Sequence, residues 1–151
     1  MLKSTRNKVI IWFIVGLAFI GFFDATYLTV KHFTGGPLPC YIFSDCDVVT
    51  TSRYATVLNI PVALFGSIYY LLLVGLGILF IDRIKLFSLI TIRRLAPLGF
   101  ISSLVLMYLQ FFTLRSLCFY CVLSAAVCTI IFILSFFLYT KAEKRELDLA
   151  S

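Results

Sequence analysis

Four long apolar runs constrain this chain more than any other feature: Val9 to Val30, Ile60 to Ile81, Leu95 to Leu114 and Ser116 to Thr140. A hydrocarbon layer ~30 Å thick is crossed by ~20 helical residues rising 1.5 Å each, and every run is long enough. Lipid offers no partner to an unpaired amide, so runs of this kind cross as helices. Only the first contains a charge, Asp24. With 62% hydrophobic and 13% charged residues, the 151-residue chain lacks the polar coat of a water-soluble globule. An all-α integral membrane protein is expected, a four-transmembrane-helix bundle forming one domain over residues 1–151. There is no internal repeat and no low-complexity segment. The first run is too long for the core of a cleaved signal peptide and is read as a retained helix. DRIKLFSLITIRR, between the second and third runs, is expected to be a connection resting at the membrane interface.

Orientation follows from the basic residues. Lys3, Arg6, Lys8, Arg83, Lys85, Arg93, Arg94, Lys141, Lys144 and Arg145 fall on one side, leaving Lys31, Arg53 and Arg115 on the other. The positive-inside rule makes the first side cytoplasmic, so both termini are inside and the loop 31–59 is outside. The net charge of +6 is thereby a topology signal. Nothing else in the sequence supports binding to nucleic acid.

Topology gives the cysteines their meaning. Cys40 and Cys46 lie in the outer loop, and Cys118 and Cys121, a C-x-x-C pair, lie at the outer mouth of the fourth run. Two pairs on the oxidising side suit thiol–disulfide exchange, in which one pair passes electrons to the other. If Ser116 caps the fourth helix, both C-x-x-C residues occupy its first turn, where free amides and the helix dipole favour a thiolate. Arg115 would add a cation. Cys118 must be reachable from the outer loop, whereas Cys121, one turn deeper, must meet the bilayer.

Other readings fit less well. C-x5-C with C-x-x-C does not match common zinc spacings, so no metal site is expected. A c-type haem requires histidine where Val122 stands. Two structural disulfides remain a competing reading, although a C-x-x-C bridge closes too short a loop to restrict the unfolded chain much. Cys128, deeper in the fourth run, reads as a small packing residue. The sequence has neither a G-x-G-x-x-G nor a P-loop, and a dithiol at the bilayer boundary points to a lipid-soluble acceptor, a quinone. Aromatic residues toward the outer end, among them Phe65, Tyr69, Phe111 and Phe112, are candidates to line its pocket. Asp24 is a proton path to the quinone, a hydrated interfacial carboxylate, or a group hydrogen-bonded to Tyr27 or a neighbouring helix. The lone His32 reads as a loop residue.

The run CYIFSDCDVVTTSRYATVLNIPVALFGSIYY, followed one helical hairpin later by CFYC, resembles the vitamin K epoxide reductase family in its bacterial form. The shared features are the C-x5-C loop pair, Ser52 shortly after it, Pro61 to Gly66 opening the second helix, and the C-x-x-C of the fourth. The resemblance implies a four-helix bundle around a quinone, ubiquinone or menaquinone, covered by a short amphipathic half-helix within Val48 to Leu58. Ser52 joins the aromatic residues and Asp24 as a candidate quinone contact. It also implies a relay in which a thioredoxin-like partner reduces Cys40, Cys46 exchanges with Cys118, and Cys121 faces the quinone. Asn59 stands where the family carries glycine. Many bacterial members carry a fused thioredoxin-like domain, and its absence here implies a separate, DsbA-like periplasmic partner of a bacterial inner-membrane enzyme. DsbB-type proteins share the four helices, two pairs and a quinone, but in them the C-x-x-C comes first. A tetraspan structural protein with stapled loops is the alternative of a different class.

Overall fold

The computed structural model describes residues 2–37, 39, 46–82 and 85–138. Helix α1 spans Leu2–Thr34, α3 Val62–Asp82, α4 Lys85–Tyr108 and α5 Phe119–Phe137. Between α1 and α3 lie a short helix α2, Cys46–Thr51, a 3-10 turn, Arg53–Ala55, and a two-stranded hairpin of β1, Thr56–Val57, and β2, Ile60–Pro61. Four helical segments are long and apolar enough to cross a membrane: Thr5–Thr34, Val62–Ile81, Phe87–Leu114 and Phe119–Phe137. The chain is a four-helix, all-α membrane bundle.

Helix α1 packs against α3 and α5, and α4 packs against α5 and α3. On α1 the buried residues Ile11, Ile14, Ala18, Ala25 and Leu28 recur at the three-to-four-residue spacing of one helix face. All but Leu28 join one core with Tyr70, Leu73, Ile92 and Ile131, which are fully or almost fully buried. The opposite face is just as apolar: Trp12, Phe13 and Phe23 are each more than 60% exposed, the arrangement expected where the surrounding solvent is lipid.

The segment expected to be an interfacial connection is helical instead, since α4 starts at Lys85, ten residues before the expected start at Leu95. Arginine is a good helix former whose charge lies at the end of a long stem, so Arg93 and Arg94 do not interrupt the backbone ladder. Ser88, Leu89 and Ile92 face the core.

Small residues let the helices approach closely. A Cβ on Gly21 of α1 would overlap the ring of Tyr70 on α3. The Tyr70 hydroxyl donates to the Ser124 carbonyl at 3.1 Å and lies 3.1 Å from Cys128 Sγ, so this polar tip is satisfied inside the bundle. Cys128 packs in the same core.

The hairpin closes through Leu58 and Asn59, whose φ values of 53° and 63° are both left-handed, as a two-residue turn of the I′ kind requires. Asparagine is among the few residues that adopt this conformation readily, so Asn59 serves the turn without a glycine. The half-helix expected within Val48 to Leu58 begins two residues earlier, at Cys46, and is broken at Ser52, whose Oγ donates to the Val49 carbonyl at 2.7 Å.

The Gly21–Tyr70 contact makes a measurable prediction. Gly21→Ala is expected to destabilise the detergent-solubilised protein by about 1–3 kcal/mol. Gly16→Ala, at a position with nothing within 4 Å of the added Cβ, is expected to be neutral or slightly stabilising in the same thermal melt.

Candidate functional site

The site forms where α4 stops and α5 starts. The last turn of α4 widens into a π-helical stretch, Leu109–Leu114, and ends at Arg115, which has a left-handed φ of 49°. The amides of Arg115 and Ser116 both donate to the Gln110 carbonyl. In this widened turn Gln110 is buried, 3% exposed, while Phe111 and Phe112 are more than 60% exposed. The Gln110 side chain is committed to the next helix: its Oε1 accepts the backbone N–H of Cys118 at 3.2 Å.

Helix α5 starts two residues later than a Ser116 cap implies. Cys118 is itself the cap residue, with extended backbone, and its carbonyl accepts the Val122 amide at 3.0 Å. Its side chain is fully buried. A hydrogen bond from the Cys121 thiol pulls the Cys118 thiol down to about 7; burial opposes this, and the backbone amides of Cys121 and Tyr120 reinforce it. The thiolate is thus favoured by its dithiol partner and by free first-turn amides. Arg115 is exposed and ends the preceding turn.

Cys118 does not meet the loop as an open thiol. It lies beneath α2, in one buried cluster with Cys46, Leu28 and Val49, against which Tyr27, Tyr120 and Cys121 pack. Cys46 is engaged in a disulfide, whereas Cys118 and Cys121 are free. Cys40 lies outside the described residues. The loop is fastened to this cluster at two points. The Tyr120 hydroxyl donates to the Pro39 carbonyl at 3.2 Å, and His32 Nδ1 on α1 lies 3.3 Å from the Thr50 carbonyl on α2. His32 therefore ties the lid to α1 and is not a loop residue.

Beneath the lid is a cavity of about 140 Å³. Asp24, Ala25 and Leu28 line it from α1, Val49, Ser52 and Tyr54 from the lid, and Gln110 and Cys121 from the junction of α4 and α5. Both Asp24 carboxylate oxygens are buried and have no hydrogen-bond partner among the described residues.

Of the residues singled out in the sequence, Asp24, Ser52 and Cys121 line the cavity, and Cys46 and Cys118 adjoin it. The aromatic candidates lie elsewhere. Phe65 is half exposed on α3, Phe111 and Phe112 point outward from the π turn, and Tyr69 donates to the Leu95 carbonyl of α4. In a bundle whose outer surface is apolar, aromatic character does not separate pocket from periphery. Gln110 was not anticipated. Its signal is that it is the only glutamine of the sequence and stands inside an apolar run.

The model of the vitamin K epoxide reductase family matches residues 12–136, which include the second and third helix-forming runs in full, most of the first and fourth, and Cys46, Cys118 and Cys121. The chain belongs to the vitamin K epoxide reductase family. A search of curated protein sequences finds no match. Membership of the vitamin K epoxide reductase family, together with Cys46, Cys118 and Cys121 gathered at one end of the bundle, points to thiol–disulfide redox chemistry.

The state of Cys118 is open to titration. In the protein with Cys118 and Cys121 reduced, alkylation of Cys118 by a small uncharged reagent, resolved by peptide mapping, should rise with pH to half its plateau near 7. Cys121→Ala removes the principal hydrogen bond and should move the midpoint up toward the ~8.5 of an ordinary thiol. An unchanged midpoint would show that Cys121 does not support the thiolate.

Proposed function

We propose that the chain is a bacterial inner-membrane thiol–disulfide oxidoreductase that oxidises a separate periplasmic thioredoxin-like, DsbA-like protein and reduces a quinone, ubiquinone or menaquinone. The observation that carries this reading is the position of Cys121, in the wall of a largely apolar cavity and one turn from a thiol that shares a buried cluster with Cys46. The cavity suits one ring: its volume of about 140 Å³ is close to the ~150 Å³ of a dry engineered cavity that admits benzene. Val49, Pro61 and Leu106 supply apolar walls, and Ser52, Gln110 and Asp24 supply polar atoms for the ring oxygens. A quinone bound there is the electron-accepting substrate, taking two electrons and two protons.

The chain's own residues divide the remaining work. Cys118 is fully buried, so a protein donor has no direct access to it, and a second pair nearer the surface is needed to pass electrons inward. In the proposed order Cys40 receives them from the partner, Cys46 exchanges with Cys118, and Cys118 and Cys121 close into a disulfide as the quinone is reduced. The distribution of basic residues puts the cysteine end on the periplasmic side and both termini in the cytoplasm.

An anaerobic assay of quinone reduction by the purified protein, with a reduced DsbA-like donor, tests the activity. Turnover is expected in the unmodified chain and none in Cys121→Ala; equal, background rates in both would remove the enzymatic reading. The order of the relay has its own test. Offered the donor in its disulfide form, Cys46→Ala should accumulate a mixed disulfide in which the Cys40 thiolate has attacked the donor disulfide and released the donor's second thiol, because the resolving Cys46 is absent, whereas a donor trapped on Cys118 would reverse the order.

A further inference from the structure

Asp24 is the one carboxylate within the membrane-spanning runs, and it does not behave as a structural residue. A buried polar group is ordinarily paired, and packing alone gives no reason for a carboxylate here. Asp24 is 8% exposed, both oxygens lack a partner among the described residues, and it lines the cavity. It is also within electrostatic reach of both Cys118 and Cys121. The other ionisable groups lining the cavity are Cys121 on α5, His32 on α1 and Tyr54 on the lid, and His32 is turned to the Thr50 carbonyl. Gln110 faces the cavity from the π turn but carries no proton to exchange.

We propose that Asp24 is the proton carrier of this cavity, taking the proton of the Cys121 thiol and delivering it to an oxygen of the acceptor ring. The inference rests on the quinone-reducing function proposed above. In the balanced step the Cys118 thiolate forms a bond to Cys121 Sγ, the Cys121 S–H bond breaks, and two electrons leave the dithiol for the ring. The Cys121 proton moves to an Asp24 oxygen and then to the ring, so Asp24 ends as it began. The second ring proton comes from solution, to which Cys118 gave up its own proton on becoming a thiolate. The unpartnered oxygens fit this role because no fixed hydrogen bond has to break before the carboxylate accepts or releases a proton.

Asp24→Asn keeps the size of the side chain and removes its ability to carry a proton, while Asp24→Glu keeps the carboxylate. In quinone reduction by the purified protein, Asp24→Asn is expected to lower kcat at least tenfold at pH 7 with KM for the quinone within twofold, and Asp24→Glu to recover part of the loss. A quinone-free measurement accompanies the assay. With no ring to receive it, the proton taken from Cys121 stays on Asp24, so the infrared difference spectrum between dithiol and disulfide forms of the unmodified protein should contain a carboxyl C=O band that shifts in heavy water and is missing in Asp24→Asn. Asp24→Asn turning over at the rate of the unmodified chain, with no carboxyl band in the difference spectrum of either, overturns the relay alone. An unmodified chain that reduces no quinone overturns the functional reading and the relay together.

Discussion

In hydrocarbon each amide has to find its partner within the protein, and the junction of α4 and α5 is where this requirement is hardest to meet. Two membrane helices end and start there within a few residues, leaving free carbonyls on one and free amides on the other. The structure meets the demand with a π turn, a left-handed Arg115 and the Gln110 side chain, which reaches the Cys118 amide. The position of Cys118 at the start of α5 depends on that solution. Were α4 to end in an ordinary α turn, Gln110 would not occupy this place, and the cap of α5 would need another acceptor.

The fold was largely legible in the sequence because crossing a bilayer demands length and apolarity, and both are visible in a string of letters. The start of α4 was not, because charge was taken as the boundary of the membrane although Arg93 and Arg94 continue the helix. The site was legible in its chemistry and less so in its walls. The cysteines, Asp24 and Ser52 stand out by residue type or spacing, and the structure places Asp24, Ser52 and Cys121 around one cavity. The outward placement of Phe65, Phe111 and Phe112 depends on helix rotation, and four helices apolar on every side carry no amphipathic stripe from which to read it. Gln110 depends on the π turn, which no residue pattern announces.

The lid shows how short elements are held over such a site. The α2 helix has six residues, too few to be stable alone, and it gains order from neighbours. Val49 and Cys46 anchor it from below, His32 ties it to α1, and the hairpin fixes its exit into α3 through the left-handed pair Leu58 and Asn59. Most of these attachments involve the backbone or buried side chains, which leaves Val48, Tyr54 and Val57 at least half exposed on the outer surface.

The cap position of Cys118 has a mechanical consequence. As the cap, Cys118 has its amide held by the Gln110 side chain and its carbonyl bonded to the Val122 amide, while its side chain makes no capping hydrogen bond. Its side chain shares one buried cluster with Cys46, and Cys121 packs against the same cluster. In the proposed relay, passing from one to the other is a matter of turning about the Cα–Cβ bond, a motion on the timescale of side-chain rotation, and it asks no transmembrane helix to slide. In that relay the membrane portion of the molecule serves as a frame around a single pivoting atom.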